Sequence, residues 1–161
     1  DQGRVVTQGG IELVSLHPEL RAIVGPDAVG SVVTGVVAAA DPQTGLAAIS
    51  VGNGTLNATM RDARPGALVR VQLLARDVIL ATYRPEGLSV RNMLAGTIAA
   101  ISDDDADTDL VSVDVGGATV LSRVTRAALQ SLALRPGMPI WVLVKAVSIR
   151  GHAFPAPRAA D

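Results

Sequence analysis

The sequence has 161 residues, of which 48% are apolar, with a mean hydropathy of +0.37 and a formal net charge of −1. This composition excludes a disordered chain, and 14 basic against 15 acidic residues give no overall field that would recruit nucleic acid. The chain has no cysteine, which excludes disulfides and thiolate metal sites, and no apolar run reaches the ~20 residues of a membrane span, so we expect a soluble globular protein.

The opening of the chain predicts a small α/β segment. Residues 1–10 have the pattern of a hairpin, residues 11–24 have the apolar spacing of a short helix, and Gly25-Pro26 ends it. From residue 30 onward the pattern changes to short β-branched runs separated by Gly, Pro and Asp, which is typical of small all-β barrels. We expect strands near residues 31–40, 44–51, 55–60, 67–75, 77–83, 88–101, 109–115, 118–124 and 139–149.

The two sets of strands are one unit written twice. The offset between matching residues grows along the chain, because three extra residues fall in the acidic turn 103–109 and seven more fall at the predicted helix of the second unit. The matched positions are Gly35 and Gly96 at an offset of 61, Val51 and Val115 at 64, and Arg64 and Arg135 at 71. We therefore expect two tandem barrels, of which only the second keeps a helix.

Ser89 and Arg91 are two residues apart on a predicted strand, so both side chains should leave the same face. Arg offers a rigid fork of donors and Ser adds one neutral donor, which together suit an anion. The plain alternative is a solvated strand end, since exposed polar residues rarely have a function.

Lys145 is the only lysine of the chain, and it lies in the otherwise apolar run 140–147. A cation in apolar surroundings needs a partner. That partner is either a carboxylate such as Asp114, in a structural ion pair, or a bound anion.

Residues 125–134 predict a short helix that Thr125 caps and that ends before Pro136. The first turn of a helix offers free N–H groups and the positive end of a dipole, and a threonine hydroxyl can accept from the backbone while it donates to a ligand. The alternative is a cap with no further role.

The run SVRNMLAGTI, from Ser89 to Ile98, resembles the opening S-A-R-N-x-L-x-G-x-V of the Mop, or TOBE, domains. The same family's order and spacing continue in SRVT at 122–125, LALRPG at 132–137 and VLVKA at 142–146. These motifs span about residues 88–149. With the first unit and an opening that looks like the end of an ATPase domain, the whole chain resembles the C-terminal regulatory region of the ATP-binding subunit of molybdate ABC importers.

The resemblance implies an all-β fold of two tandem OB-like (Mop/TOBE) barrels, with one short helix in the second and a short α/β tail of an ATPase domain before them. The implied divisions are a remnant of an ABC ATPase domain at 1–29, a first, reduced barrel at 30–86, a second barrel at 87–151 and a flexible tail at 152–161.

The resemblance also implies a molybdate or tungstate site formed across a homodimer, with the Ser and Arg from one copy and the Thr, Lys and following backbone from the other. The implied residues are Ser89, Arg91, Thr125, Lys145 and Ala146, with Asn92 and Ser122 as supporting residues. Two cations and several neutral donors would match a tetrahedral dianion. Family members often have a Ser three residues after the Thr, where this chain has Ala128, and this departure removes one hydroxyl.

We therefore expect a non-enzymatic module that senses the ion in the cytoplasm, at the inner face of the membrane, as part of an importer whose ATPase domain shares the chain and whose permease subunit is a partner. No cofactor is expected. The sequence has no P-loop, so ATP hydrolysis would belong to residues upstream. The alternative is a structural TOBE domain that serves ATPase dimerisation or regulator docking without a ligand.

Other kinds of site are disfavoured. The acidic turn 103–109 has no Gly hinge or terminal Glu of a calcium loop, so we expect a solvated turn there. His17 and His152 are far apart and have no companion zinc ligands. Single-stranded nucleic acid is bound by aromatic side chains in a basic groove. The aromatic residues of the chain are only Tyr83, Trp141 and Phe154.

Overall fold

The computed structural model describes Gly10 and residues 26–153, so the hairpin and helix predicted before residue 25 lie outside the described residues. The strands are β1 (Gly30–Asp41), β2 (Leu46–Val51), β3 (Gly54–Thr59), β4 (Leu68–Leu74), β5 (Ile79–Ala81), β6 (Asn92–Asp105), β7 (Thr108–Asp114), β8 (Thr119–Thr125), β9 (Pro139–Val144) and β10 (Arg150–Ala153). One α-helix, α1 (Arg126–Ser131), and three 3-10 turns (Pro26–Ala28, Ala75–Asp77 and Ala146–Ser148) complete the described elements.

The ten strands form two five-stranded units, and each unit takes one strand from the other half of the chain. The first barrel is closed, in the order β1-β2-β3-β10-β4. The second sheet has the order β5-β9-β6-β7-β8. Its two edges are joined by a buried side chain, because the Ser122 hydroxyl on β8 donates to the Val78 carbonyl just before β5, at 2.8 Å.

This exchange of strands crosses the boundaries that the sequence predicts. β5 belongs to the first unit in sequence but pairs with β9, and β10 follows the second unit but pairs with β4 and β3. The division at residues 86 and 87 therefore separates the two repeats but not the two sheets. His152 and Ala153 belong to the predicted tail but lie in β10, whereas residues 154–161 lie outside the described residues.

Alternation along the strands builds one core that both units share. In β4, Val69, Val71 and Leu73 are fully buried, while Leu68 and Gln72 on the other face are exposed. This period of two is the pattern that the sequence predicts for a strand with one face on a core. A single buried cluster contains residues of both units, including Val37, Ile49, Leu56, Val71, Ile98, Val113 and Val142.

The two units also exchange equivalent hydrogen bonds, which supports the repeat read from the sequence. The buried Asn92 side chain accepts from the Asn57 N–H at 2.6 Å and donates to the Asn57 carbonyl at 2.9 Å. At the matching positions of the two repeats, the buried Ser31 hydroxyl accepts from the Leu121 N–H at 2.8 Å. The two repeats are thus related by an approximate twofold axis.

The hairpin turns that meet at this axis require glycine. Gly52 has a positive φ of 53°, and a Cβ there would overlap the Val115 carbonyl oxygen of the other unit. The Asn53 N–H donates to that same oxygen at 3.0 Å. The close approach of the two turns depends on the missing side chain.

Most predicted elements are present, and two are corrected. The helix capped by Thr125 is confirmed at Arg126–Ser131. The prediction of one strand at 139–149 is wrong. β9 ends at Val144, and a 3-10 turn at Ala146–Ser148 connects it to β10. The predicted strand at 88–101 begins only at Asn92.

Candidate functional site

Arg91 and Lys145 are neighbours at one end of the second sheet. The last rung of the β6–β9 ladder pairs Asn92 with Val144. Arg91 and Lys145 are therefore the next residues outward on two adjacent segments, and both side chains are exposed. The ladder brings together two cations that are far apart in the sequence.

Of the two alternatives for Lys145, the ion pair with Asp114 does not form in the structure. Asp114 is exposed at the end of β7, where its Oδ1 accepts from the Gly117 N–H at 2.8 Å. Among residues 26–153, neither Lys145 nor Arg91 has a carboxylate within 4.0 Å. Two neighbouring cations without compensating charge favour an anion at this end of the sheet.

Ser89 and Arg91 are both exposed, and neither lies on a strand. Both residues precede β6 and are exposed, while Val90 between them is 7% exposed and packs inward. The expectation that the two polar side chains lie on one strand is wrong. The alternation of exposed and buried residues is nevertheless kept, because Val90 is buried between the exposed residues Ser89 and Arg91.

The backbone N–H of Ala146 is a free donor beside Lys145. In the first unit the matching residue, Ala75, donates its N–H to the Val29 carbonyl at 2.9 Å. For Ala146 no such bond forms within the part of the chain that the structure describes. Ala146 begins the 3-10 turn that follows Lys145, so its N–H has no partner within the turn either. A ligand bound at Lys145 would find this donor unoccupied.

Thr125 caps α1 as predicted. Its Oγ1 accepts from the Ala128 N–H at 3.1 Å, so the hydroxyl hydrogen is left to donate elsewhere. The helix has only six residues, so its dipole is a minor contribution. The side chain at residue 128 is the methyl group of Ala128, which adds no donor.

Thr125 lies at the opposite end of β6 from Arg91. Thr125 pairs with Thr108 at the start of β7, and Thr108 pairs with Asp105 at the end of β6. Arg91, in contrast, precedes the first residue of β6. The ladder thus brings Arg91 next to Lys145, and the Ser122–Val78 bond brings β8 next to the strand that pairs with β9. The implied division, with Ser89 and Arg91 on one copy and Thr125, Lys145 and Ala146 on the other, stays a prediction.

The acidic turn is more than the solvated turn expected from the sequence. The Asp104 carboxylate pairs with Arg123 Nε at 2.5 Å, and the two side chains are only 7% and 15% exposed. Asp109, whose side chain is also 7% exposed, lies 3.5 Å from the Arg126 guanidinium. These aspartates hold the residues on either side of Thr125. The sequence did not predict this role, because Asp104 on β6 and Arg123 on β8 belong to strands that are not paired with each other and meet only in the folded structure.

The two supporting residues are occupied by bonds within the chain. Asn92 uses both side-chain atoms on the backbone of Asn57, and Ser122 donates to Val78. Both residues are almost fully buried. In this structure Asn92 joins the two units next to Arg91, and Ser122 joins the two edges of the second sheet near Thr125, so neither side chain presents a free donor to a ligand.

The first unit has different residues at every matching position except that of Ala146. The counterparts of Ser89, Arg91, Thr125, Lys145 and Ala146 are Ala28, Gly30, Arg61, Leu74 and Ala75. Arg61 lies in a polar cleft of about 220 Å³, which Thr44 and Thr59 also line.

Beside this cleft, hydrogen bonds from Thr44 and then from the Gln43 N–H hold the pKa of Asp41 below its usual value. Asp41 is fully exposed, so the stability it adds is small, and that contribution is lost as the pH falls through its lowered pKa.

Within the described residues, no cluster of three His, Asp or Glu side chains has a geometry that would hold a metal ion. The described part of the chain also contains no helix long and apolar enough to cross a membrane.

The strand order and the capped helix place the chain in the class of tandem OB-like barrel proteins. Residues 88–151 match the model of the TOBE domain family. This match confirms the resemblance that the motifs of the second unit predicted. The matched range contains every residue of the predicted site.

Two relatives extend the similarity beyond the TOBE domain. The chain is 37% identical over 147 residues to the molybdenum import ATP-binding protein ModC of Mesorhizobium japonicum, covering 91% of this chain and 40% of that protein. It is 36% identical over 150 residues to the ModC protein of Methylococcus capsulatus, covering 92% of this chain and 42% of that protein. The chain thus spans about two fifths of the length of these curated relatives.

A solved structure has the same arrangement of barrels. The cytoplasmic molybdate-binding protein ModG, in a crystal form with molybdate bound, matches with a TM-score of 0.66 and 29% sequence identity. The match covers 78% of this chain and 96% of that one. The tandem arrangement is therefore shared with a protein whose bound ligand is molybdate.

Proposed function

We propose that this chain is a regulatory module that binds molybdate or tungstate and does no covalent chemistry of its own. It would form part of the ATP-binding subunit of an importer, at the cytoplasmic face of the membrane. The ATPase domain would lie in the same polypeptide and contact a membrane permease. The proposed ligands are Ser89, Arg91, Thr125, Lys145 and the N–H of Ala146.

The pairing of Arg91 with Lys145 is the observation that carries this proposal. The β6–β9 ladder places two exposed, uncompensated cations side by side, with the free Ala146 N–H next to them. A tetrahedral dianion needs two positive charges and several neutral donors, and a carboxylate in contact would oppose it. The described residues at this end of the sheet fit that requirement.

A second copy would complete the site. The family resemblance implies that the Arg91 and the Thr125 of one site come from different copies, and Thr125 is remote from Arg91 along the β6–β7–β8 ladder. A homodimer with its symmetry axis between two such ends has two equivalent sites, each built from both chains. The ion would then stabilise the dimer that contains it.

Regulation follows if the importer has two arrangements that differ in how closely these modules approach. An ion held between two copies would favour the arrangement in which they touch. A dominant shift would require the ion to bind that arrangement much more tightly than the other, since equal affinity shifts nothing.

Calorimetry with Arg91→Ala tests the ligand set. A charge-assisted hydrogen bond contributes about 1.5–3 kcal/mol, so we expect molybdate affinity to fall about 10- to 100-fold. Arg135→Ala removes an equally exposed arginine from a turn of the same unit and should bind like the wild type. Equal affinity of the Arg91 variant and the wild type would remove Arg91 from the site.

A mixture of two defective chains tests the origin of Thr125. Arg91→Ala and Thr125→Ala should each bind weakly alone, and mixing them should restore strong binding in a mixed dimer with one intact site. Equilibrium dialysis against molybdate measures the restored fraction. If no binding returns on mixing, although mixed dimers form, Arg91 and Thr125 do not act together across two chains.

A second function, a structural TOBE domain without a ligand, is favoured by one observation. Ala128 lacks the hydroxyl that family members often supply at that position. Thermal unfolding separates the two functions, because a ligand that binds only the folded state adds about 2.7 kcal/mol of stability at 100 times its Kd. Molybdate or tungstate should raise the Tm with increasing concentration, and sulfate should do so less. The structural function predicts no specific rise.

A further inference from the structure

In the first unit, the ladder between β1 and β4 closes completely. Its last rung pairs Gly30 with Leu74. One residue further out, the Ala75 N–H donates to the Val29 carbonyl at 2.9 Å. This bond occupies the N–H with which the 3-10 turn at Ala75–Asp77 begins, so that N–H is not available to a ligand.

In the second unit, the matching ladder between β6 and β9 stops one rung earlier. Its outermost rung pairs Asn92 with Val144, whereas Arg91 and Lys145, which match the last rung of the first unit, do not pair. The Ala146 N–H has no acceptor among the residues that the structure describes. The rung and the hydrogen bond that close the first ladder are therefore both missing here.

The difference does not come from the strand that carries Lys145. The backbone of Lys145 has φ −68° and ψ 137°, and that of Leu74, at the matching position, has φ −75° and ψ 132°. A 3-10 turn of three residues follows each of them. Because these two strand ends have the same shape, the cause lies on the opposite segment, which carries Gly30 in one unit and Arg91 in the other.

The closed ladder leaves no room for a side chain at Gly30. A Cβ at this position would overlap the Leu73 carbonyl oxygen and lie 3.0 Å from the Leu74 Cα. Both of these atoms belong to the backbone, which would have to move to relieve the overlap. Glycine alone has no Cβ, so any other residue at the matching position, such as Arg91, forces the two strand ends apart.

We infer that Arg91 is a spacer as well as a ligand: its Cβ holds the end of the β6–β9 ladder open and so keeps the Ala146 N–H free for the oxyanion. The use of this N–H by the ion rests on the proposed function. The opening of the ladder does not, because it concerns only which atom prevents a hydrogen bond between Ala146 and Val90. In the first barrel, Gly30 lets the ladder close, which withdraws the corresponding donor.

Substitutions at residue 91 separate the effect of the Cβ from that of the charge. Arg91→Ala removes the guanidinium and keeps the Cβ, whereas Arg91→Gly removes both and places the first unit's residue there. Lys145→Leu is the control on the opposite strand, because it also introduces the first unit's residue and removes a charge. Both positions are exposed, so circular dichroism should show a retained fold in all these variants.

Nuclear magnetic resonance of the isotope-labelled, ion-free chain detects the bond through the scalar coupling between the Ala146 nitrogen and the Val90 carbonyl carbon. In Arg91→Gly we expect this coupling to appear and the exchange of the Ala146 N–H with solvent to slow by about tenfold or more. In the wild type, Arg91→Ala and Lys145→Leu the coupling should be absent. The coupling between Ala75 and Val29 should be present in every chain and is the internal reference. A coupling between Ala146 and Val90 in the wild type or in Arg91→Ala, or its absence from Arg91→Gly, would overturn the inference.

Calorimetry with molybdate tests whether the ion uses the Ala146 N–H. Loss of one neutral donor should make Arg91→Gly bind about two- to tenfold more weakly than Arg91→Ala. Equal affinity of these two variants, with the coupling present in Arg91→Gly, would remove the Ala146 N–H from the ligand set.

The outcomes also separate this inference from the proposed function. If the coupling appears only in Arg91→Gly but the wild type binds no molybdate, the spacer is real and the proposed ligand is wrong. If the wild type binds molybdate and the coupling is absent from Arg91→Gly, the ligand is right and the spacer is wrong.

Discussion

At the scale of single residues, the donors at the proposed site differ in how they are held. Thr125 is fixed by its bond to the Ala128 N–H, and the Ala146 N–H is left free by the 3-10 turn that it begins. The cap was predictable, because a Thr before a helical apolar pattern is a local signal. The free N–H of Ala146 was not predictable from the sequence, because the matching N–H of Ala75 in the first unit does donate to a carbonyl, that of Val29.

Ala128→Ser should strengthen molybdate binding. The change adds a hydroxyl in the first turn of α1, three residues after Thr125, at the position where the family resemblance implies one more neutral donor to the proposed ion. A neutral hydrogen bond contributes about 0.5–1.5 kcal/mol, so the Kd measured by calorimetry should fall about two- to tenfold. Ala127→Ser, on the exposed side of the same turn, is the control and should leave the Kd unchanged. A gain of equal size in both variants would indicate a general effect on the helix.

At the scale of elements, the acidic turn is a clamp on the segment that carries Thr125. Asp104 and Asp109 bind the arginines at positions 123 and 126, and the Arg126 N–H donates to the Asp107 carbonyl at 2.9 Å. The sequence predicted the hairpin but not the clamp. Composition shows that charges are present, whereas only the folded structure shows that Asp104 of β6 meets Arg123 of β8 and that Asp109 of β7 meets Arg126.

Asp104→Asn should destabilise the fold, because it leaves the nearly buried Arg123 without its charged partner. Removing one partner of a buried ion pair costs about 3–5 kcal/mol, and the remaining exposure of Arg123 places the expected loss at the lower end. Urea unfolding monitored by circular dichroism measures the change in the free energy of unfolding. Asp107→Asn, an exposed residue of the same turn, should be neutral. A loss for Asp104→Asn that stays below about 0.5 kcal/mol, the usual range of surface substitutions, would contradict the clamp.

At the scale of the whole molecule, the sequence predicted two units and could not predict their exchange of strands. Repeated motifs and a growing offset are visible in one dimension. The strand with which a short strand pairs is not visible in the sequence, because Ile79–Ala81 and Arg150–Ala153 have the same local pattern whichever sheet they join. The exchange and the shared core make the two units one cooperative body.

A chain that ends at Ile149 should therefore lose stability in both units. Without β10 the first barrel loses a strand that pairs with β4 and β3, and the core common to both units is opened. Calorimetry should show one transition in the wild type, and a lower Tm with a smaller unfolding enthalpy in the truncated chain. A chain that ends at Ala153 keeps β10 and is the control, so the difference between the two shortened chains measures the contribution of β10. An unchanged second sheet in the shorter chain would show that the units are independent.

The exchanged strands also determine where the polypeptide enters and leaves. Gly30 begins β1 and Ala153 ends β10, and these two strands are the neighbours of β4 within the first barrel. Any polypeptide joined at either side of residues 30–153 would hold the first barrel directly and the second sheet only through it. Arg91 and Lys145 thus lie on the sheet that is not directly attached to such a polypeptide. Force from an ion bound there would be transmitted through the Asn92–Asn57 hydrogen bonds and the two exchanged strands.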